Sequence, residues 1–425
     1  MEGACSTLAR RPFPITKRGA FHVDTIEAMR LALAADIDAL RESGRYRWLR
    51  RFELLQEPMV TVDGREVVML SSSDVLGLSR HPRVVEAALK ATARHGCASG
   101  SSRLIAGNHP LYDALEEELA AFLGTEASLV FSSGYLANTS LIPALVGEAD
   151  AVFSDALNHA SLVDGCRLSR ARVEIFRHAD PQSLECALKR AGGARRKLVV
   201  VDGVYSMDGD LAPLPDLVRV CESRGAWLLV DDSHGTGILG EMGRGTVEHF
   251  HLEGRIPIQM GTLGKSLGSF GAWVTGPLVL REALVNLARG FIFTCALPPS
   301  VLAAARAGLQ VIREEPQHRR RLWENTRYLR EGLLAAGFSI GPSQTHILPL
   351  FPSAPAHTRE TDGAWVMRFS QALLDAGVFA QGIRPPTVPP GTSRIRICVM
   401  ATHTKDHLDR AIEAFVHVGR HTGMA

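Results

Sequence analysis

Trp227-Leu-Leu-Val-Asp231-Asp232-Ser-His234-Gly-Thr-Gly237 is an apolar run that ends in two aspartates, and some thirty residues later stands Thr262-Leu-Gly-Lys265-Ser-Leu-Gly268. An unbroken Leu/Val run of this length reads as a strand buried on both faces, the kind found in parallel sheets covered by helices. Asp231 and Lys265 then fall at the carboxyl ends of strands, where ligands of open α/β folds collect.

The same signal recurs on either side. Strands are expected over 127–133, 151–155, 173–178, 197–205, 226–232, 257–262 and 271–276, several of them continuous Val/Leu/Ile runs. Helical stretches separate them. Residues 180–191 run into Gly192-Gly193, and residues 214–224 run into Gly225, a good helix stop. Pro110–Leu123 places Leu111, Leu115, Leu119 and Phe122 on one face, with proline in the first turn and Gly124 at the end. The alternation predicts an α/β fold with a large domain built on a seven-stranded, mostly parallel sheet. After Pro298-Pro299 the pattern changes to an Arg-rich helix (319–334), a strand (345–351), a helix (363–376), strands near 378–383 and 393–400 and a last helix (405–418), a smaller C-terminal α+β domain. Residues 24–56 read as helical and charged. The expected division is an N-terminal arm and helix over 1–68, the large domain over 69–310 and the small domain over 311–425.

Bulk properties bound the function. A chain of 425 residues is too long for one core. Its 46% apolar and 22% charged content and net charge of +2 give no reason to expect a nucleic-acid or membrane partner. No apolar stretch approaches the roughly 18 residues that span a bilayer. Seven cysteines, an odd number without a CxxC, point to no zinc site or disulfide framework and to a reducing cytoplasm. The basic segment Leu8–Arg18 reads as an N-terminal arm in preference to a targeting segment.

A carboxylate, a histidine and a lysine flanked by glycine and hydroxyl residues are what pyridoxal phosphate (PLP) requires. The amine condenses with the aldehyde, and the carboxylate keeps the pyridine nitrogen protonated. Asp231 needs a cationic partner once buried, a role that a protonated pyridine or a structural arginine would fill. His234 is placed to reach the ring oxygen or to pack. His159, after a strand and at a helix start, would stack on an aromatic face or simply open the helix. Gly134-Tyr135 would present backbone N–H groups to a phosphate, and Ser206 is a loop hydroxyl of comparable ambiguity. Gly235-Thr-Gly237-Ile-Leu-Gly240 matches GxGxxG and raises a nicotinamide alternative, but the glycine-rich continuation is a poor helix and the motif follows the fifth strand.

Assembled, these motifs resemble those of the α-oxoamine synthases, a PLP fold-type I family. The resemblance spans roughly 38–420 and rests on Ser132-Ser-Gly-Tyr-Leu-Ala-Asn138, Asn158-His-Ala-Ser161, Val204-Tyr-Ser-Met-Asp-Gly209, the Asp231 and Lys265 motifs, Ile383-Arg-Pro-Pro-Thr-Val-Pro389, Arg394-Ile-Arg396 and Ala401-Thr-His-Thr404. The C-terminal motifs most resemble the oxononanoate synthase branch of biotin biosynthesis. The resemblance implies that Lys265 holds the cofactor and moves protons, Asp231 pairs with the pyridinium, His234 and Ser206 serve the ring oxygen and His159 stacks on the ring. It implies that Gly134, Tyr135, Thr262 and Thr294 of the partner subunit hold the phosphate. Arg396 would take the amino-acid carboxylate, and Arg47 and Thr387 the acyl substrate. The implied protein is a homodimer with active sites at the interface, which condenses an amino acid with an acyl-CoA or acyl-ACP. Three positions depart from the family pattern: Ser73, Tyr112 and Cys295. Ser73 and Tyr112 are expected to contact substrate or frame the site's mouth, and a relative using another acyl chain, glycine or serine is the alternative. A scaffold subunit without activity is disfavoured by the presence of Lys265, Asp231 and His159.

Overall fold

A computed structural model describes residues 25–53, 57–354 and 360–421. Cys5 and the segment Leu8–Arg18 lie outside them. The chain divides into an N-terminal unit ending at Leu49 and a body from Arg50 onward. The N-terminal unit holds α1 (Thr25–Glu42). The expected helix over 24–56 is too long. Gly44 turns at a φ of 64°, and Arg45 and Tyr46 donate their N–H groups back to Leu40 O at 2.8 and 3.0 Å, which closes the helix.

In the body, β1 (Phe52–Glu53), β2 (Met59–Val62) and β3 (Arg65–Met69) form an antiparallel ladder. Asp63-Gly64 makes its tight turn with both residues at positive φ, the Asp-Gly signal of a two-residue hairpin. Two amphipathic helices follow, α2 (Pro82–His95) and α3 (Pro110–Leu123). The large sheet comprises β4 (Ala127–Phe131), β5 (Ala151–Asp155), β6 (Arg172–Phe176), β7 (Lys197–Asp202), β8 (Trp227–Asp231), β9 (Ile258–Thr262) and β10 (Ala272–Gly276), in the order β4-β10-β9-β8-β7-β5-β6. The seven expected strands are thus all present, each slightly shorter than or equal to its expected run. Helices α4 (Gly134–Leu145), α5 (Ala160–Leu168), α6 (Pro181–Arg190) and α7 (Leu214–Arg224) cover its faces.

The period-2 alternation of each strand feeds both layers at once. Leu198 and Val200 of β7 pack with Leu141, Ile142 and Leu162 of α4 and α5. Val199 and Val201 pack with Leu184, Leu188, Leu217 and Val218 of α6 and α7. Only β10 runs against its neighbours β9 and β4. Its loop, residues 263–271, is too short for the crossover of a dozen or more residues that a parallel return demands. That same tight loop carries Lys265.

The C-terminal part adds β11 (Ile347–Leu350), β12 (Val378–Phe379), β13 (Gln381–Ile383) and β14 (Arg394–Cys398). The single run expected near 378–383 divides at Ala380. β12 joins β3 in parallel, whereas β13 joins β14, which also pairs with β11. Among the described residues no helix is long and apolar enough to cross a membrane.

Candidate active site

Asp155, Asp202 and Asp231 end β5, β7 and β8, three neighbouring parallel strands, so three carboxyls arrive at one sheet edge. Strand alternation separates Asp231 from Asp232. Asp231 Oδ2 accepts from Asn138 Nδ2 at 2.8 Å, and its Oδ1 accepts from Ser233 N at 3.1 Å. Asp232 instead accepts from Thr246 N and Thr246 Oγ1, each at 2.9 Å, and from Thr236 Oγ1 at 3.3 Å. Burial pushes its carboxyl up to about 7 against the pull of those hydrogen bonds. Asp232 therefore ties down the Gly235–Gly245 turns. Those turns also weigh against the GxGxxG match: turns and bends run from Ser233 to Gly243, and only the four-residue helix Thr246–His249 follows, with no helix opened by the glycines themselves.

Lys265 sits in the loop after β9. Ser266 Oγ donates to Thr236 O at 2.6 Å and Ser269 Oγ to Val301 O at 2.7 Å, which fixes the loop on both sides of the lysine. Gly268 turns at a φ of 65°, and a Cβ there would stand 2.4 Å from Ser79 N. Burial lowers the Lys265 amine to about 8, with Arg396 acting in the same direction and Asp231 opposing. His234 is held far below its ordinary value by burial and by the neighbouring Lys265 and Arg396. Arg396 on β14 donates Nε to Ser206 O at 2.5 Å. Its companion Arg394 is buried and bonded to Asp208 and to Met207 O, so the two arginines of the motif have different tasks.

His346, which no sequence signal singled out, is buried 6.5 Å from the His234 ring, and its Nδ1 has no hydrogen-bond partner. Burial, Arg396 and Lys265 depress it to about 3. Asp202 was missed as well, although Val-Val-Val-Asp202 repeats the pattern of Leu-Leu-Val-Asp231. Burial and the nearby Asp231 raise its carboxyl well above the usual range, and it accepts the backbone N–H of His159 at 2.7 Å.

Facing the lysine loop is the start of α4. Ser133 caps it by accepting Leu136 N at 3.2 Å, and helix geometry leaves the N–H groups of Gly134 and Tyr135 without intrahelical acceptors. Thr262, at the end of β9, lies against Gly134: a Cβ at residue 134 would come within 2.7 Å of Thr262 Cγ2. Thr262 Oγ1 is buried and has no partner. Two free amides, an orphaned hydroxyl and a depressed lysine amine therefore stand beside a buried carboxylate, and these residues fit an aromatic aldehyde carrying a phosphate. The side chain of Tyr135 reaches away to bond Asp164.

His159 precedes α5 and lines a cavity of about 830 Å³ together with Tyr205, Ser206, Thr387 and Val388. The structure thus groups Lys265, Asp231, His234, His159, Ser206, Arg396, Gly134, Tyr135, Thr262 and Thr387. Thr294 is half-buried after the helix Arg289–Ile292, and among the described residues no hydrogen bond ties it to this group. Arg47 belongs to the N-terminal unit, not to the body that carries the group. Tyr112 departs from expectation. It is buried, its OH accepts Leu297 N at 2.6 Å, and the Arg103 guanidinium lies 3.9 Å from its ring centroid, so it braces the core and frames no opening. Ser73 is half-buried and Cys295 exposed.

Residues 65–415 match the model of the aminotransferase class I and II family. The chain belongs to that family and, within it, to the family of the 8-amino-7-oxononanoate synthases. It is 50% identical over 399 residues to the 8-amino-7-oxononanoate synthase of Geobacter sulfurreducens, covering 93% of this chain and all of the relative. It is 46% identical to that of Symbiobacterium thermophilum, over 92% of this chain and 98% of the relative. Among solved structures, a serine palmitoyltransferase from S. paucimobilis with PLP and myriocin bound superimposes with a TM-score of 0.86 at 34% identity, over 94% of this chain and 99% of that one.

Proposed function

We propose that the protein is a PLP-dependent C-acyltransferase of biotin biosynthesis, which condenses L-alanine with a pimeloyl thioester and releases CO2, the free thiol and an α-amino ketone. The observation that carries this reading is the Lys265 amine, lowered to about 8 by burial, in the loop one strand away from the Asp231 carboxylate. When bound, PLP would supply an electron sink for the charge left at Cα by loss of a proton and later of CO2.

The chain's own residues do the rest. The neutral Lys265 amine is the nucleophile that holds the aldehyde, and afterwards the base positioned to move the Cα proton. Asp231 holds a proton on the pyridine nitrogen. The neutral His234, with Ser206, serves the ring oxygen, and His159 covers the ring face. Gly134, Tyr135 and Thr262 orient the phosphate, joined by Thr294 from a second copy of the chain in a homodimer. Arg396 binds the amino-acid carboxylate. Thr387, on the wall of the 830 Å³ cavity, contacts the acyl chain. We read 69–310 as the domain that holds the cofactor and 311–425 as the domain that brings Arg396 to it. The described cysteines are all free thiols, in keeping with a cytoplasmic enzyme.

Steady-state assays with alanine, glycine and serine, each against pimeloyl-, succinyl- and palmitoyl-CoA and pimeloyl-ACP, test the reading. Turnover is expected with alanine and a pimeloyl thioester, and its absence would remove the biotin assignment. The likeness to a serine palmitoyltransferase keeps a second reading in play, an enzyme of the same chemistry using serine and a longer acyl thioester. Preference for that pair would establish it.

A further inference from the structure

Asn138 and Ser161 join two residues that the function above uses separately. Asn138, on α4, donates one Nδ2 proton to Asp231 Oδ2 at 2.8 Å and the other to Ser161 Oγ at 3.0 Å. Flipping the amide would aim its oxygen at a carboxylate, acceptor against acceptor, so the donors are fixed. Ser161 accepts from Asn138 and therefore keeps its own proton to give. Its Oγ lies 2.7 Å from His159 Nδ1. The backbone N–H of Ser161 also points at that nitrogen, at 3.2 Å. An atom that receives an N–H has no proton of its own, so Nδ1 is an acceptor and the Ser161 hydroxyl donates to it. Ser161 and Asn138 are both buried.

We propose that Asn138 and Ser161 are positioning residues, a two-link relay from Asp231 that fixes His159 as the neutral tautomer protonated only at Nε2. The relay gives the imidazole one donor, Nε2–H, and denies it a proton at Nδ1, where an N–H would face both donors of Ser161. It also fixes the plane of the Asp231 carboxylate through the Asn138 amide on Oδ2 and Ser233 N on Oδ1. The charged groups acting on the ring are Asp231 from β8, which favours its cation, and Lys265 from the loop after β9, which disfavours it. Burial, the largest influence, acts together with Lys265 to outweigh Asp231 and lower the ring below its ordinary value. Asp202 from β7 holds the backbone N–H of the same residue.

The inference builds on the reading of Asp231 and His159 as cofactor contacts, and its test separates the two. Nitrogen-15 NMR of the PLP-loaded full chain labelled at histidine, with the His159 resonances identified by their loss in His159→Gln, reports the protonation of each ring nitrogen without substrate. Near neutral pH the wild type is expected to show Nε2 protonated and Nδ1 bare. Ser161→Ala removes the hydroxyl donor and should move the tautomer ratio roughly fivefold toward Nδ1–H, the net effect of one hydrogen bond. Ser161→Thr keeps the hydroxyl and should restore the wild-type signals. A wild-type His159 that carries its proton on Nδ1, or on both nitrogens, overturns the relay, and so does an unchanged ratio in Ser161→Ala. The wild-type spectrum alone decides if that variant does not fold. A chain that takes up no PLP at all defeats the cofactor reading instead, and the tautomer can still be read in it.

Discussion

Asp202 Oδ2 accepts the backbone N–H of His159 at 2.7 Å, so a carboxyl at the tip of β7 fixes the residue that opens α5. Burial and the nearby Asp231 raise the Asp202 carboxyl well above the ordinary range, which favours its neutral form. A neutral amide should replace it with little loss. Asp202→Asn is expected to keep PLP and turnover within a few-fold, and Asp202→Leu, which leaves the buried N–H unpaired at a cost of about 1–3 kcal/mol, should lower both. Parallel activity and cofactor-retention assays of the two variants check this, and equal behaviour would count against the hydrogen bond.

The Lys265 amine at about 8 sets the pH dependence of cofactor capture. Below that value the amine is protonated and unreactive, so loading of the PLP-free protein should rise about tenfold per pH unit and level off above it. Asp231 favours the charged amine, so Asp231→Asn should move the plateau to lower pH. Borohydride trapping followed by peptide mapping measures the rate and must place the label on residue 265. Lys265→Ala should lose at least about a hundredfold in turnover, since the group that moves the proton is gone.

Gly134 has no room for a methyl group, because Thr262 Cγ2 would lie 2.7 Å from it. Gly134→Ala should either displace Thr262 or open the start of α4, at an overpacking cost of about 1–3 kcal/mol. We expect a weaker dissociation constant for PLP with little change in far-ultraviolet circular dichroism. Unaltered affinity would exclude this corner as the phosphate cradle.

His178 lies between Asp155 Oδ1 at 2.9 Å and Asp210 Oδ2 at 2.8 Å. Burial pushes the ring down, but the two carboxylates outweigh it and raise it to about 10. A group bound to its proton more tightly when folded stabilises the fold fully below its ordinary value near 6.5 and loses that contribution as pH rises toward 10. The melting temperature should therefore fall across this window, and the fall should be smaller in His178→Gln. The same slope in both proteins would show that other groups cause it.

Much of the site was legible because catalytic side chains follow directly from local patterns. A Leu-Leu-Val run ending in aspartate, a helix opened by Gly-Tyr and a lysine between glycines each occupy a few consecutive residues. Other features required the fold. The break at Ala380 depends on which neighbours offer a free edge, β3 on one side and β14 on the other. Tyr112, expected to contact substrate or frame the mouth of the site, instead accepts the backbone N–H of Leu297, 185 residues away in the chain.

Sequence by itself determined the parallel sheet, the lysine and the carboxylate, since burial on two faces and the chemistry of an aldehyde restrict residue type at each position. Tertiary structure alone decided what their neighbours Asp232 and Arg394 do instead, the one tying down the turns after β8 and the other bound to Asp208, and that Asn138, Ser161 and His346 gather around the site. Hydrogen-bond direction and desolvation are properties of groups distant in the chain and close in space, and no linear pattern encodes them.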